Sequence, residues 1–364
     1  MASLITRDIR DIRIGRIWRI GSIGLVCFIG SLGLPACGSS DSSPDGGPGM
    51  DGGNHTDAPV PAADAPPQTD APGQSALSQA GLYSDFANRT VDPRLRPYTP
   101  KFPLWADSLD KNRYLDLPAG TKINTADIDH WVFPVGTRFW KEFAQTDGTP
   151  LETRLIEKTS DTTWKMGSFV WRDDGNDAIY TENGARNVHG TDWAVPSLDQ
   201  CQRCHDGEGD HFLGFAAIQL GDSEVATLAD AQLLTDPPAQ GQSFALPWDG
   251  KTNAAVGMFY GNCGHCHSDI GSAASTGMIL RVTVADLGHA DLTQTMLYQT
   301  TVGVPTTNFM SGSGFFRVAA HDLDHSAVLV RMQSRDTLVQ MPPIATKHVD
   351  TAAVDAVTAW IGEL

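Results

Sequence analysis

Apolar and polar side chains alternate with a period of two between residues 137 and 171, as in strands that bury one face. Within residues 137–143 the alternation sets Phe139, Lys141 and Phe143 on one face and Arg138, Trp140 and Glu142 on the other. Residues 151–158 and 162–171 continue the pattern. Thr146-Asp147-Gly148-Thr149-Pro150 and Asp173-Asp174-Gly175-Asn176 separate these runs and supply the Gly, Pro and Asx chemistry of tight turns. Beyond residue 197 the period lengthens. The spacing predicts a helix over residues 253–263 and another capped by Asp350, with Val354, Val357, Ile361 and Leu364 at helical intervals beside Trp360. Asp236-Pro237-Pro238-Ala239-Gln240-Gly241 reads as a linker. The expected fold class is α+β: a β-rich unit over residues 77–235 followed by an all-α unit over residues 242–364, with no internal repeat.

The first 76 residues follow neither period. Arg7, Arg10, Arg13, Arg16 and Arg19 precede an apolar, Gly-rich run at 20–34 that is short for a membrane span, so residues 1–36 read as an export signal. Leu34-Pro35-Ala36-Cys37 resembles the lipobox of bacterial lipoproteins, which implies lipidation of Cys37. Several acyl chains anchor stably where one binds only marginally. Gly38 in place of Asp is compatible with sorting to the outer membrane, facing the periplasm. Residues 37–76 are rich in Ser, Asp, Gly, Pro and Ala and lack Lys and Arg. They cannot bury enough surface to offset their ordering entropy and are expected to form a disordered acidic tether.

Charge narrows the partners. Twenty-six Lys and Arg stand against 43 Asp and Glu, a net charge of -17. That balance argues against nucleic acid and favours a basic redox partner protein.

Cysteine usage carries the chemistry. Of six cysteines, Cys27 lies in the apolar N-terminal run and Cys37 at its end, and the other four form Cys201-Gln202-Arg203-Cys204-His205 and Cys263-Gly264-His265-Cys266-His267. None is left over for a disulfide. In each motif two cysteines three residues apart project from one side of a helical turn, placed to form thioethers with the two vinyl groups of a haem, and the adjacent histidine can reach the iron. A zinc site built from both pairs is the rival reading. The 62 residues between their first cysteines exceed ribbon spacing, and the histidine recurs in both. Two covalently bound haem c groups are therefore expected, held by Cys201, Cys204, Cys263 and Cys266 with His205 and His267 as iron ligands.

Residues 242–364 resemble the class I cytochrome c family, on Cys263-Gly264-His265-Cys266-His267 after a short helix, on Met341-Pro342-Pro343 and on the final helix with Trp360. The resemblance implies that Met341 is the sixth ligand opposite His267, with Met332 its rival; a thioether there raises the reduction potential. It also implies an insertion within residues 268–316. His265, inside the motif, is expected to be exposed, and His321, His325 and His348 to be surface residues. In the first unit, Pro103-Leu104-Trp105-Ala106-Asp107, Phe133-Pro134-Val135-Gly136-Thr137, Glu152-Thr153-Arg154-Leu155 and Phe169-Val170-Trp171 resemble a family of bacterial c-type haem lipoproteins, a likeness that covers most of residues 82–221. The order of β segments, motif and Asp210-His211-Phe212 is also similar to the β-sheet haem proteins that include cytochrome c-prime-beta and the hydroxylamine-oxidising cytochromes with a lysine cross-linked to haem. That likeness implies Lys141 as the lysine. His205 is the expected proximal ligand; the distal side is open or filled by His189, His211 or Met166.

These features together predict a lipid-anchored dihaem cytochrome of periplasmic electron transfer, an electron carrier rather than a catalyst. The alternatives are a haem redox enzyme acting on peroxide, a nitrogen oxide or hydroxylamine at an open first haem with the second as relay, and a docking module for a dehydrogenase or oxidase.

Overall fold

The computed structural model describes residues 75–364. The export signal, Cys37 and the tether as far as residue 74 lie outside the described residues. A small hairpin of β1 (Tyr83–Asp85) and β2 (Thr90–Val91) precedes an antiparallel meander in sequence order: β3 (Arg96–Pro97), β4 (Asp110–Asp116), β5 (Arg138–Ala144), β6 (Pro150–Ser160), β7 (Thr163–Trp171) and β8 (Ala178–Thr181).

Register explains the alternation. Leu115, Phe139, Ile156 and Met166 face one another across β4 to β7 and form an apolar row. Two residues along, on the same face, Arg113, Lys141, Arg154 and Ser168 form the next row. On the other face Trp140 is fully buried against Leu77, Leu82 and Leu95. The two-faced reading of residues 137–143 thus holds, Lys141 included.

Helices follow the sheet: α1 (Leu198–His205), α2 (Ala217–Asp230), α3 (Gly250–Asn262), α4 (Met296–Gln299), α5 (Ala327–Gln333) and α6 (Thr351–Ile361). A sheet region followed by a helical region makes the fold α+β. Asp350 caps α6 as expected, its carboxylate accepting from Ala353 N at 3.0 Å. The third helix starts three residues earlier than expected because Asp249 accepts from the backbone of Lys251 (2.9 Å) and Thr252 (3.1 Å). It packs on α6 through an edge contact of Phe259 with Trp360, ring centroids 5.6 Å apart. Residues 268–316, the expected insertion, hold only short helical turns and α4. Among the described residues no helix is long and apolar enough to cross a membrane.

The sheet and helical regions are stitched together by residues 100–107. Phe102 lies against Gly257 and Gly261 of α3, where a Cβ would strike its ring and its carbonyl. Lys101 N donates to the Gln219 carbonyl (2.7 Å), Trp105 N to Asn262 Oδ1 (2.7 Å), and Asp107 accepts from the backbone of Lys347 (2.8 Å) and His348 (3.1 Å). The expected linker is also anchored at its start, where Thr125 Oγ1 donates to the Asp236 carbonyl at 2.8 Å.

Candidate functional site

The first motif is carried by α1. Ser197 and Gln200 form a reciprocal capping box that fixes where the helix begins, so Cys201 and Cys204 fall on one side of it. Leu198 and Cys201 pack against the sheet's apolar row, which Phe133 and Phe212 extend. His205 Nδ1 lies 2.5 Å from the carbonyl of His211. A carbonyl only accepts, so Nδ1 carries the hydrogen and Nε2 keeps a free lone pair. Burial, reinforced by the charge of Lys141, pushes His205 down to about 3, which keeps the imidazole neutral, the form that ligates metal.

The His211 carbonyl is itself held in place. Asp210, 6% exposed, accepts from Lys158 Nζ at 2.6 Å and from Phe133 N at 2.5 Å, and the Lys158 side chain is only 3% exposed. A buried ion pair thus clamps the loop after the first motif onto β6.

The second motif leaves the end of α3 as one further turn. Cys266 N (3.1 Å) and His267 N (2.9 Å) both donate to the Cys263 carbonyl, and the His267 carbonyl accepts from Leu280 N at 2.9 Å. Beside it lies an apolar cleft lined by Cys263, Met258, Met332, Met341, Pro342 and Ala353. The cleft brings Met341 and its rival Met332 to the same motif; Met332 is also part of the core. Met341 is tied by its backbone N to the Arg331 carbonyl at 3.0 Å. His267 Nδ1 is buried without a hydrogen-bond partner, and burial holds this imidazole neutral as well. An apolar cleft with the Cys263 thiol and the Met332 and Met341 thioethers in its lining, next to a motif whose histidine is neutral, fits a covalently attached haem by donor chemistry.

The two motifs meet. The sulfurs of Cys204 and Cys266 and a ring nitrogen of His265 lie within 4.8 Å of one another. A hydrogen bond between the two thiols pushes Cys204 up and Cys266 down. Burial raises Cys201, and it pushes Cys263 up to about 12. His265 is 8% exposed, which overturns the expectation of an exposed residue: the turn of the first motif covers it. His321, His325 and His348 are exposed as expected.

Of the three residues expected as candidates for a distal ligand, Met166 stands on the sheet face that packs against Cys201. His189 Nε2 lies 3.0 Å from the Trp171 carbonyl, among the loops at 147–150 and 173–175. His211 packs at a tilt against Trp164, centroids 4.2 Å apart, beside Asp206. Lys141 lies in the basic row of the inner sheet face. Burial and then the charges of Arg113 and Arg154 push it down to about 7, while Cys201 and Cys204 act on it in the opposite sense. Glu152, fully buried, meets this row: Arg154 takes both its oxygens (2.5 and 2.9 Å), and Ser168 (2.7 Å) and Trp193 (3.1 Å) complete its bonds.

Sequence reasoning missed Lys158, Asp210, Glu208 and Arg281. Their partners are 52 and 73 residues apart, and no local pattern announces such pairs. Asp206-Gly207-Glu208-Gly209 did carry a signal, since paired glycines after a motif mark close backbone approach. Searches against protein-family models, curated proteins and solved structures find no match to this chain.

Proposed function

We propose that the chain is a dihaem c-type cytochrome that carries electrons in the periplasm, anchored to a membrane through Cys37. The observation that carries this reading is the pair of Cys-x-x-Cys-His motifs, each set against an apolar wall with a neutral histidine beside it. Cys201 and Cys204 would form the thioethers of the first haem, and Cys263 and Cys266 those of the second. When bound, each haem supplies one-electron exchange at its iron. The His205 Nδ1 bond to the His211 carbonyl orients its ring and leaves Nε2 for the metal. His267 and Met341 would hold the iron of the second haem. Arg113 and Lys141 would suit the carboxylates of a bound haem. The packing of α3 on α6 supports the likeness of residues 242–364 to class I cytochrome c.

A second reading has one observation in its favour. Lys141, a partly buried base beside Arg113 on the sheet, interacts with both cysteines of the first motif, where a small anionic substrate could also be held, as an open first haem in a redox enzyme requires.

Acid-acetone extraction and a pyridine haemochrome assay on protein from a host that matures c-type haem are expected to give two covalent haems per chain. The Cys201→Ser/Cys204→Ser variant should keep one. A chain that retains no haem after extraction refutes the reading. Cyanide or carbon monoxide binding at one haem would favour the enzyme. Cys37→Ser should release the protein from membranes.

A further inference from the structure

We propose that the two motifs form a single rigid junction, so that the groups attached through Cys204 and Cys266 exchange electrons directly across it. This rests on the haem reading above and adds that the two haems form one coupled pair, not two separate carriers joined by a linker.

The junction is built by backbone fit. Gly207, two residues past the first motif, abuts the His265 carbonyl so closely that a Cβ has no room. Gly271, four residues past the second, is packed as tightly against the carbonyls of Cys266 and His265. Cys266 Sγ lies 3.8 Å from the Arg203 carbonyl. An ion pair closes the side: the Arg281 guanidinium meets both oxygens of Glu208, at 2.8 and 3.1 Å, and lies over the Tyr260 ring at 5.4 Å. Both partners are largely buried, at 11% and 17% side-chain exposure, so this is a two-pronged, poorly solvated contact. Segments 58 to 73 residues apart in sequence are thereby held at one spot.

Consequences follow for whatever the cysteines carry. A c-type thioether joins its sulfur to the porphyrin rim through only two covalent bonds, one carbon–sulfur and one carbon–carbon. Sulfurs within 4.8 Å of one another therefore hold the two rims close enough to exchange an electron without an intermediate carrier. In that exchange one ferrous iron is oxidised and its ferric neighbour reduced, with no atom transferred. His265, 8% exposed, places a ring nitrogen in the same cluster.

The test uses the matured full-length protein. Haem content comes first: fewer than two covalent haems overturns the reading on which the junction rests. With two haems present, electron paramagnetic resonance is followed while the protein is reduced stepwise. Coupling predicts that reducing one haem alters the signal of the other, and that the oxidised spectrum is not the sum of those of Cys201→Ser/Cys204→Ser and Cys263→Ser/Cys266→Ser. If those variants do not fold, the stepwise reduction of the unaltered protein still decides. Additive spectra, with each haem indifferent to the oxidation state of the other, overturn the junction and leave the haem reading intact.

Discussion

Truncating Asp210 isolates what the clamp on the first motif contributes. Asp210→Ala leaves the Lys158 ammonium, 3% exposed, without its carboxylate, and strands the Phe133 N–H that now donates at 2.5 Å. Breaking a buried ion pair by removing one partner costs about 3–5 kcal/mol, because the remaining charge stays desolvated. The Trp164 ring, 5.3 Å from the Lys158 ammonium, offsets only part of that. A loss of this size is a large share of the roughly 5–15 kcal/mol by which domains are stable. Urea denaturation followed by tryptophan fluorescence should show a lower midpoint at unchanged slope. Lys158→Met/Asp210→Ala should recover part of the loss, because the stranded ammonium is gone and only the N–H remains unpaired. The same change frees the His211 carbonyl, so the absorption bands of the first haem should shift while those of the second stay fixed. A single variant within about 1 kcal/mol of the parent, or a double variant no more stable than Asp210→Ala, would show that the ion pair does not clamp the loop.

Met341→Ala is expected to lower the reduction potential of the second haem and abolish the sulfur-to-iron charge-transfer band; if band and potential persist, the ligand is Met332 or lies elsewhere. Lys141→Met is expected to stabilise the haem-free chain at neutral and acidic pH. The folded state holds Lys141 at about 7 against an ordinary 10.5, so the unfolded chain binds the extra proton between those values and the stability of the parent rises with pH across that window. At about 1.4 kcal/mol per unit, the gap between variant and parent is on the order of a few kcal/mol below pH 7 and closes towards pH 10.5. A gap that does not vary with pH in thermal melts would show that Lys141 is well solvated.

What was legible in the sequence was what depends on neighbours. The period-two run at 137–143 told which side of β5 each residue takes, and Asp350 was read as a cap because a cap acts within one turn. Each motif is legible locally, since its two cysteines and its histidine fall within five residues. His265 shows where this fails. Inside a motif it looks like a variable surface position, yet Gly207, 58 residues earlier, covers it. Phe102 is similar: nothing beside it says that its ring fills the space left by Gly257 and Gly261, because the i, i+4 glycines that receive it belong to another element. The glycines were the accessible half of both contacts. Small residues near a motif or along one helix face state that another backbone comes close, without saying which. Lys141 stands between the two cases, since the alternation gave its face, and only the register that sets Arg113 and Arg154 beside it explains why that face holds charge next to cysteines. A row of bases with Arg113 buried and Lys141 and Arg154 half-buried is costly unless something anionic meets it, and Glu152 is already bound by Arg154. The placement of that row opposite Cys201 and Cys204 therefore argues for an anionic group between sheet and helix, which the carboxylates of a haem would supply.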